Sequence, residues 1–148
     1  MTNNIEKLYE LAKVEKIKTC YWNCKHLFPC KECCIYKDET VDFVFPPFTD
    51  TKLLELESYI FQLNYGYCHL ERYLDANFEN NKVKNLFFVW MYRIGDIGYY
   101  DEETNQSYDD FDIEYHNTDR KQALAGLVCE LWEDLTDTQM EEVRGILQ

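Results

Sequence analysis

The chain has 148 residues and a mass of 17.9 kDa, with an apolar fraction of 46% and a charged fraction of 29%. That composition fits one folded domain with a sizeable core and excludes a disordered tail, a linker or a low-complexity chain. No run approaches the roughly 18 apolar residues of a membrane span, and the polar amphipathic opening Met1–Lys18 lacks the apolar core of a secretory signal, so a cytoplasmic protein is expected.

Asn3 or Asn4 caps a first predicted helix over Ile5–Ile17, with Ile5, Leu8 and Ala12 on one face. A cysteine-rich loop follows, then a short strand over Val41–Phe45 that ends at Pro46-Pro47. Thr49 and Asp50 open a second helix to Asn64, with Leu53, Leu56, Ile60 and Leu63 at helical spacing and Gly66 as its stop. The middle of the chain reads as β: strands over Tyr67–Leu74 and Leu86–Ile94 flank a turn-prone Asn77–Asn81 region. Gly95–Gly98 reads as a turn, Gly98–Tyr100 as a short strand and Glu103–Ser107 as a hairpin loop. Phe111, Ile113 and Tyr115 alternate with Asp112 and Glu114 in a one-faced strand. Thr118 caps a helix facing inward through Leu124, Leu127, Val128, Leu131 and Leu135. Thr136 and Gln139 form a capping box for the last helix, with Met140, Val143 and Ile146 inward. The pattern predicts an α+β fold: an antiparallel sheet of about four strands packed against helices, behind an N-terminal helix and metal loop. The expected division is 1–45 for the helix and cysteine loop and 46–148 for the α+β domain.

Five of the seven cysteines fall within fifteen residues: Cys20, Cys24, Cys30, Cys33 and Cys34, with His26 among them. An odd count, with no export signal, argues against a disulfide framework. Thiolates spaced this closely on a short loop suit a tetrahedral structural zinc, and the best ligand set is Cys20, Cys24, Cys30 and Cys33. Cys34 or His26 can replace one member, and free thiols in a reducing cytosol are the alternative reading. Lys25 and Lys31 would partly offset the charge of a tetrathiolate site.

The run Cys20-Tyr-Trp-Asn-Cys24-Lys25-His26 through Cys30-Lys31-Glu32-Cys33, continuing to Ile35, Asp38, Asp42 and Phe45-Pro46, resembles a tether found in uncharacterised small proteins of Gram-positive phages and prophages. It departs from their pattern in its longer first step and in the extra Cys34. The segment Pro46–Gln148 resembles the helix–sheet–helix sandwich-like domain of phage proteins, through its entry helix, the strand Phe88-Val-Trp90 and the Ala123-Leu-Ala125 helix. The resemblance implies a zinc-stabilised turn, a phage origin and no catalysis.

Charge is distributed unevenly: Met1–Gly95 holds 13 acids and 12 bases, whereas Asp96–Gln148 holds 15 acids and 3 bases, giving most of the net −13. Such a field repels nucleic acid and membrane anions and attracts basic surfaces. The expected partner-binding residues are Asp101, Glu102, Glu103, Asp109, Asp110, Asp112 and Glu114, with Tyr99 and Tyr108 interleaved. Carboxylates meet arginine in bidentate pairs and tyrosine supplies rigid contact area. Simple solubility is the competing explanation. No Walker loop, dinucleotide fingerprint, zinc-protease helix or nucleophile elbow is present, and Cys68-His69 is a poor dyad because strand neighbours face opposite ways. The expectation is therefore a non-enzymatic acidic protein that inhibits a host defence protein by occupying its basic nucleic-acid-binding surface, as an anti-CRISPR does. A sponge for a nucleotide-like ligand is the alternative, and it needs Arg72, Lys82, Lys84, Arg93, Arg120 or Lys121 to converge.

Overall fold

A computed structural model describes residues 3–20, 41–63 and 67–148, with backbone alone at 18–20, 41–42, 67, 96–100 and 107–112. The elements in chain order are α1 (Asn4–Leu11), β1 (Ile17–Cys20), β2 (Val41–Val44), α2 (Asp50–Gln62), β3 (Tyr67–Glu79), β4 (Lys82–Asp101), β5 (Gln106–Asn117), α3 (Arg120–Leu131) and α4 (Asp137–Leu147). The fold is α+β. Its main sheet is an antiparallel meander in the order β3-β4-β5, and β1 pairs with β2 in a separate ribbon.

That sheet has three strands rather than the expected four. Gly95 and Gly98 do not turn the chain. They lie within the single twenty-residue β4, where the pairing with β5 shifts register between Ile94 and Gly95 and again between Asp96 and Tyr99. Glycine is as much a bulge residue as a turn residue, and here the bulges bend a continuous strand. The hairpin loop is also shorter than expected, because Gln106 and Ser107 already pair with Asp101 and Tyr100. At the other end of β4 the turn is Asn80-Asn81, both with positive φ (52° and 62°), as a two-residue hairpin demands.

The helix boundaries follow their caps. Asn3 accepts from the Ile5 and Glu6 amides, Thr49 from Lys52, and Thr136 and Gln139 form the reciprocal box. Two boundaries differ from expectation. α1 stops at Leu11, and Lys13 adopts φ 55°, which ends the helix before Ile17 joins β1. The cap of α3 is Asp119 rather than Thr118, its side chain accepting from the Gln122 amide.

α3 is the hub. Ala123 through Val128 are fully or almost fully buried, so this helix is apolar all round and packs on α1, α2 and the sheet. Leu8, Tyr9 and Ala12 of α1, Leu53, Leu56 and Ile60 of α2, Tyr92 and Ile94 of β4, and Val143 and Leu147 of α4 complete one core. Asn4 fastens α1 to the hub, its backbone amide bonding Gln122 Oε1 at 2.8 Å and its Nδ2 bonding Tyr115 Oη at 2.7 Å. No helix among the described residues is long and apolar enough to cross a membrane.

Candidate functional site

β4 is longer than the core it crosses. At about 3.3 Å per residue its twenty residues run roughly 65 Å, and among its described side chains the buried ones fall between Val89 and Gly95. Two hairpins therefore leave a common base in opposite directions, one through the Asn80-Asn81 turn and one through Glu102–Asn105.

The base is held by a polar cluster under the sheet. The Tyr92 hydroxyl, fully buried, donates to Glu57 of α2. Arg120 of α3 reaches both Glu57 oxygens through Nη2 at 3.0 and 2.8 Å, and its Nε donates to the Tyr92 hydroxyl at 3.3 Å. Burial first, then the bond to Glu57, pushes the Tyr92 phenol well above its ordinary range. The hydrogen bonds to Tyr92 and Glu57 hold the Arg120 guanidinium charged. That guanidinium also lies 5.1 Å from the Trp90 ring, while Arg72 lies 5.2 Å from the same ring and 4.2 Å from Phe88.

On the opposite face of the sheet, Tyr73 on β3 bonds His116 Nδ1 on β5 at 2.9 Å. Tyr73 pairs with Val89 and His116 with Met91, so this bond straps the middle strand and covers both apolar residues. The other nitrogen of His116 contacts Glu114, which pairs with Arg93 at 3.1 Å.

The β4–β5 hairpin carries the expected acidic residues. Asp101 ends β4, and Glu102 and Glu103 are exposed in the turn, where the Glu103 amide donates to Asp101 Oδ1 at 2.9 Å. In backbone register Tyr99 pairs with Tyr108 and Asp96 with Asp110, while Asp109 and Asp112 fall at the two register shifts. Glu114 is the exception: it lies nearer the base and is engaged with Arg93 and His116. The later acids are elsewhere: Asp119 caps α3, Glu130 lies in it, Glu133 and Asp134 follow it, and Asp137, Glu141 and Glu142 are on α4, where Glu142 accepts from Tyr59 and Glu141 pairs with Arg144 at 2.7 Å.

The six cations that a nucleotide pocket would need are spread out. Arg93 faces Glu114, Arg120 holds Glu57, Lys121 pairs with Asp50 at 3.0 Å, and Lys84 pairs with Glu79 at 3.3 Å at the far hairpin, where Lys82 lies opposite Glu79. Arg72 is stacked on its two rings. A groove of about 570 Å³ between α1 and β2 is lined by Tyr9, Phe45, Phe48, Lys16, Glu6 and Glu10. Lys16 sits over the Phe45 ring at 4.9 Å, and the buried Tyr9 hydroxyl has no hydrogen-bond partner among the described residues.

Of the expected zinc ligands, Cys20 is the last residue of β1, paired with Val41. Cys24, Cys30 and Cys33, with Cys34 and His26, lie outside the described residues. Among the described residues no group of three or more His, Cys, Asp or Glu could hold a metal. Cys68 and Cys129 are half-buried free thiols; burial raises both, Cys129 to about 11, which leaves them poor nucleophiles.

Sequence reasoning placed the turn of the other hairpin within Asn77–Asn81 but ended its strands at Leu74 and Leu86; they run on to Glu79 and from Lys82, and present Leu74, Phe78, Val83, Leu86 and Phe88 to solvent. The signal was present as apolar alternation on both sides of Asn80-Asn81. No protein-family model, curated protein or solved structure matches this chain.

Proposed function

We propose that this chain is a non-enzymatic binding protein that offers the acidic β4–β5 hairpin to a Lys/Arg-rich surface of another protein, displacing nucleic acid from it. The observation that carries this reading is eight acids and no base between Asp96 and Glu114, in one hairpin whose turn carboxylates Glu102 and Glu103 are exposed. Single exposed ion pairs contribute little. The seven like charges left once Glu114 is engaged at the base instead build a field that steers a basic partner from beyond a Debye length and repels phosphate. The tyrosines at positions 99 and 108, cross-strand partners, are suited to contact once the surfaces meet.

The phage-like cysteine run points to an infected bacterial cytosol as the setting, and to a counter-defence inhibitor of the anti-CRISPR type as the class. Affinity capture from a bacterial lysate, at low and high salt and with duplex DNA as competitor, tests the reading. The expected partner is a nucleic-acid-binding protein that salt and DNA both release and that D101N/E102Q/E103Q fails to capture. Capture that is indifferent to salt, or unchanged in the triple variant, overturns it. A nucleotide sponge has less support, because the required cations are spread over the fold and five of the six face carboxylates of this chain.

The cysteine run is assigned to a structural zinc held by Cys20, Cys24, Cys30 and Cys33. The support is the pairing of Cys20 with Val41, which brings the two ends of the intervening segment together as a closed metal loop requires. Elemental analysis of the purified chain is expected to find one zinc per molecule, lost in Cys24→Ser and in Cys33→Ser. A metal-free protein, or full zinc in both variants, removes the assignment.

A further inference from the structure

The hairpin on the Asn80-Asn81 side has a face that nothing in the chain's described residues covers. Pairing of β5 with β4 begins at Trp90, opposite Asn117. Beyond that point β3 and β4 form a two-stranded ribbon, a structure of marginal stability by itself in water. Its register is amphipathic. Leu74 lies opposite Phe88, Ala76 opposite Leu86 and Phe78 opposite Val83, on one face. Asp75, Asn77 and Glu79, with their partners Phe87, Asn85 and Lys82, take the other. A one-residue bulge at Asn77/Phe78 keeps the alternation in phase, so that Val83 and Leu86 share the apolar face although they are three apart.

That face is exposed to an unusual degree: Leu74 54%, Phe78 69%, Val83 54%, Leu86 59% and Phe88 50%. Together these side chains leave roughly 500 Å² of apolar surface, at the upper end of what a monomer shows to water. No carboxylate lies on it. The only charge is Arg72 at its inner edge, already stacked on Phe88 and Trp90.

We infer that the occupant is a second copy of this chain, and that two ribbons pack face to face as a four-stranded sandwich. Area favours this: two such faces, wholly covered, bury about 1,000 Å² of side chain, the threshold that an interface between copies has to meet. Charge favours it too. Residues 71–90 contain three acids and three bases in a chain of net −13, so two copies meet here without the repulsion that the acidic Asp96–Gln148 part imposes. A basic partner gains nothing from so neutral a face. Geometry allows closure: the ribbon's apolar face is the face that carries the helices at the base, so a two-fold axis across the ribbon, midway between the two faces, sends the two helical bodies to opposite ends and sets β3 of one copy over β3 of the other, running oppositely, at the usual sheet separation of about 10 Å. Such a contact is isologous and ends at two copies. The inference does not rest on the proposed partner.

Sedimentation velocity of the full chain over a micromolar dilution series tests it. The expected particle has twice the 17.9 kDa chain mass. F78K/L86K is expected to sediment as a monomer with an unchanged circular dichroism spectrum, because both residues lie outside the core. Asn85→Lys, on the opposite face of the same ribbon, is expected to stay dimeric. A wild-type monomer throughout the series overturns the inference, as does a dimer that survives F78K/L86K. Equal loss in both variants would reduce the effect to added charge and overturn the face assignment.

Discussion

The two hairpins that share β4 are opposites built from one strand. The inner one, over residues 71–90, is electrically neutral and turns an apolar face outward; the outer one, over residues 96–114, has eight acids and no base. Apolar contact acts only when surfaces touch and gains from excluded salts. A charged projection acts at a distance and fades as salt is added. Strand alternation makes the first possible, because period two sorts Leu74, Ala76 and Phe78 from Asp75, Asn77 and Glu79. The second hairpin breaks that alternation twice with bulges, so its acids are not confined to one side by simple parity. Each projection depends on the same base, and the helices beneath it fix the angle between two recognition chemistries.

Disturbing that base is expected to have the largest effect and to spare neither projection. Arg120→Ala leaves Glu57, whose side chain is only 16% exposed, without its counter-ion. A loss of about 3 kcal/mol is expected, the usual cost of stranding one member of a half-buried pair. Urea denaturation measures it, and a loss below about 1 kcal/mol would mean that apolar packing alone holds the base. Gly126→Ala comes next and separates the two hairpins. A methyl group there meets Tyr115 ring atoms at 2.2 Å, and the ring is tethered by Asn4. Overpacking is expected to cost about 2 kcal/mol net of the gain in helix propensity. Hydrogen exchange is expected to rise in β5 from Ile113 to Asn117, at the root of the acidic hairpin, and to stay level in the inner ribbon.

Much of this organisation can be read from the residues alone, for identifiable reasons. The caps at Asn3, Thr49 and Thr136, and the buried stripe Leu124, Leu127, Val128 and Leu131, are local signals that the fold respects. The continuity of β4 is not local. Gly95 and Gly98 favour a turn and a bulge alike, and only pairing with β5 decides between them. β1 was hidden for the same reason: Ile17–Cys20 continues a helical pattern until its pairing with Val41–Val44 is known. The acidic run was legible as charge. The diversion of Glu114 to Arg93 and His116 depends on register. The full length of the inner ribbon escaped notice because asparagines at 77, 80 and 81 look like a long loop, although two of them at positive φ suffice to turn it.

Tyr9 offers a smaller effect away from both hairpins, and so a control for them. Its hydroxyl is buried without a partner among the described residues, and burial raises its pKa to about 12. Tyr9→Phe is expected to stabilise the fold by about 1 kcal/mol, because an unsatisfied buried hydroxyl is removed. The raised pKa also sets a sign. The neutral phenol's contribution is complete below the unfolded value near 10 and is lost as pH rises towards 12. Thermal melts between pH 7 and 11 are therefore expected to fall less steeply at the alkaline end in Tyr9→Phe, with self-association and partner capture unchanged. Equal alkaline slopes in the two proteins would place the titration elsewhere, with Tyr92 the next buried phenol.

The smallest effects on stability, within about 0.5 kcal/mol, are expected from the hairpin surfaces themselves, and these sharpen the comparison most. F78K/L86K and D101N/E102Q/E103Q alter side chains outside the core, so both should melt with the parent at dilutions where the parent is monomeric. Their associations should separate under salt. Raising sodium chloride is expected to leave the wild-type dimer intact, or tighten it, while releasing a basic partner. The ribbon variant should lose the first behaviour and keep the second, and the turn variant the reverse. If the turn variant also dissociates the dimer, the two hairpins belong to one composite surface, and the neutrality of the inner ribbon no longer explains why copies meet there. If each variant changes only its own association, the separation of charge along β4 is itself what keeps self-recognition and partner recognition from competing.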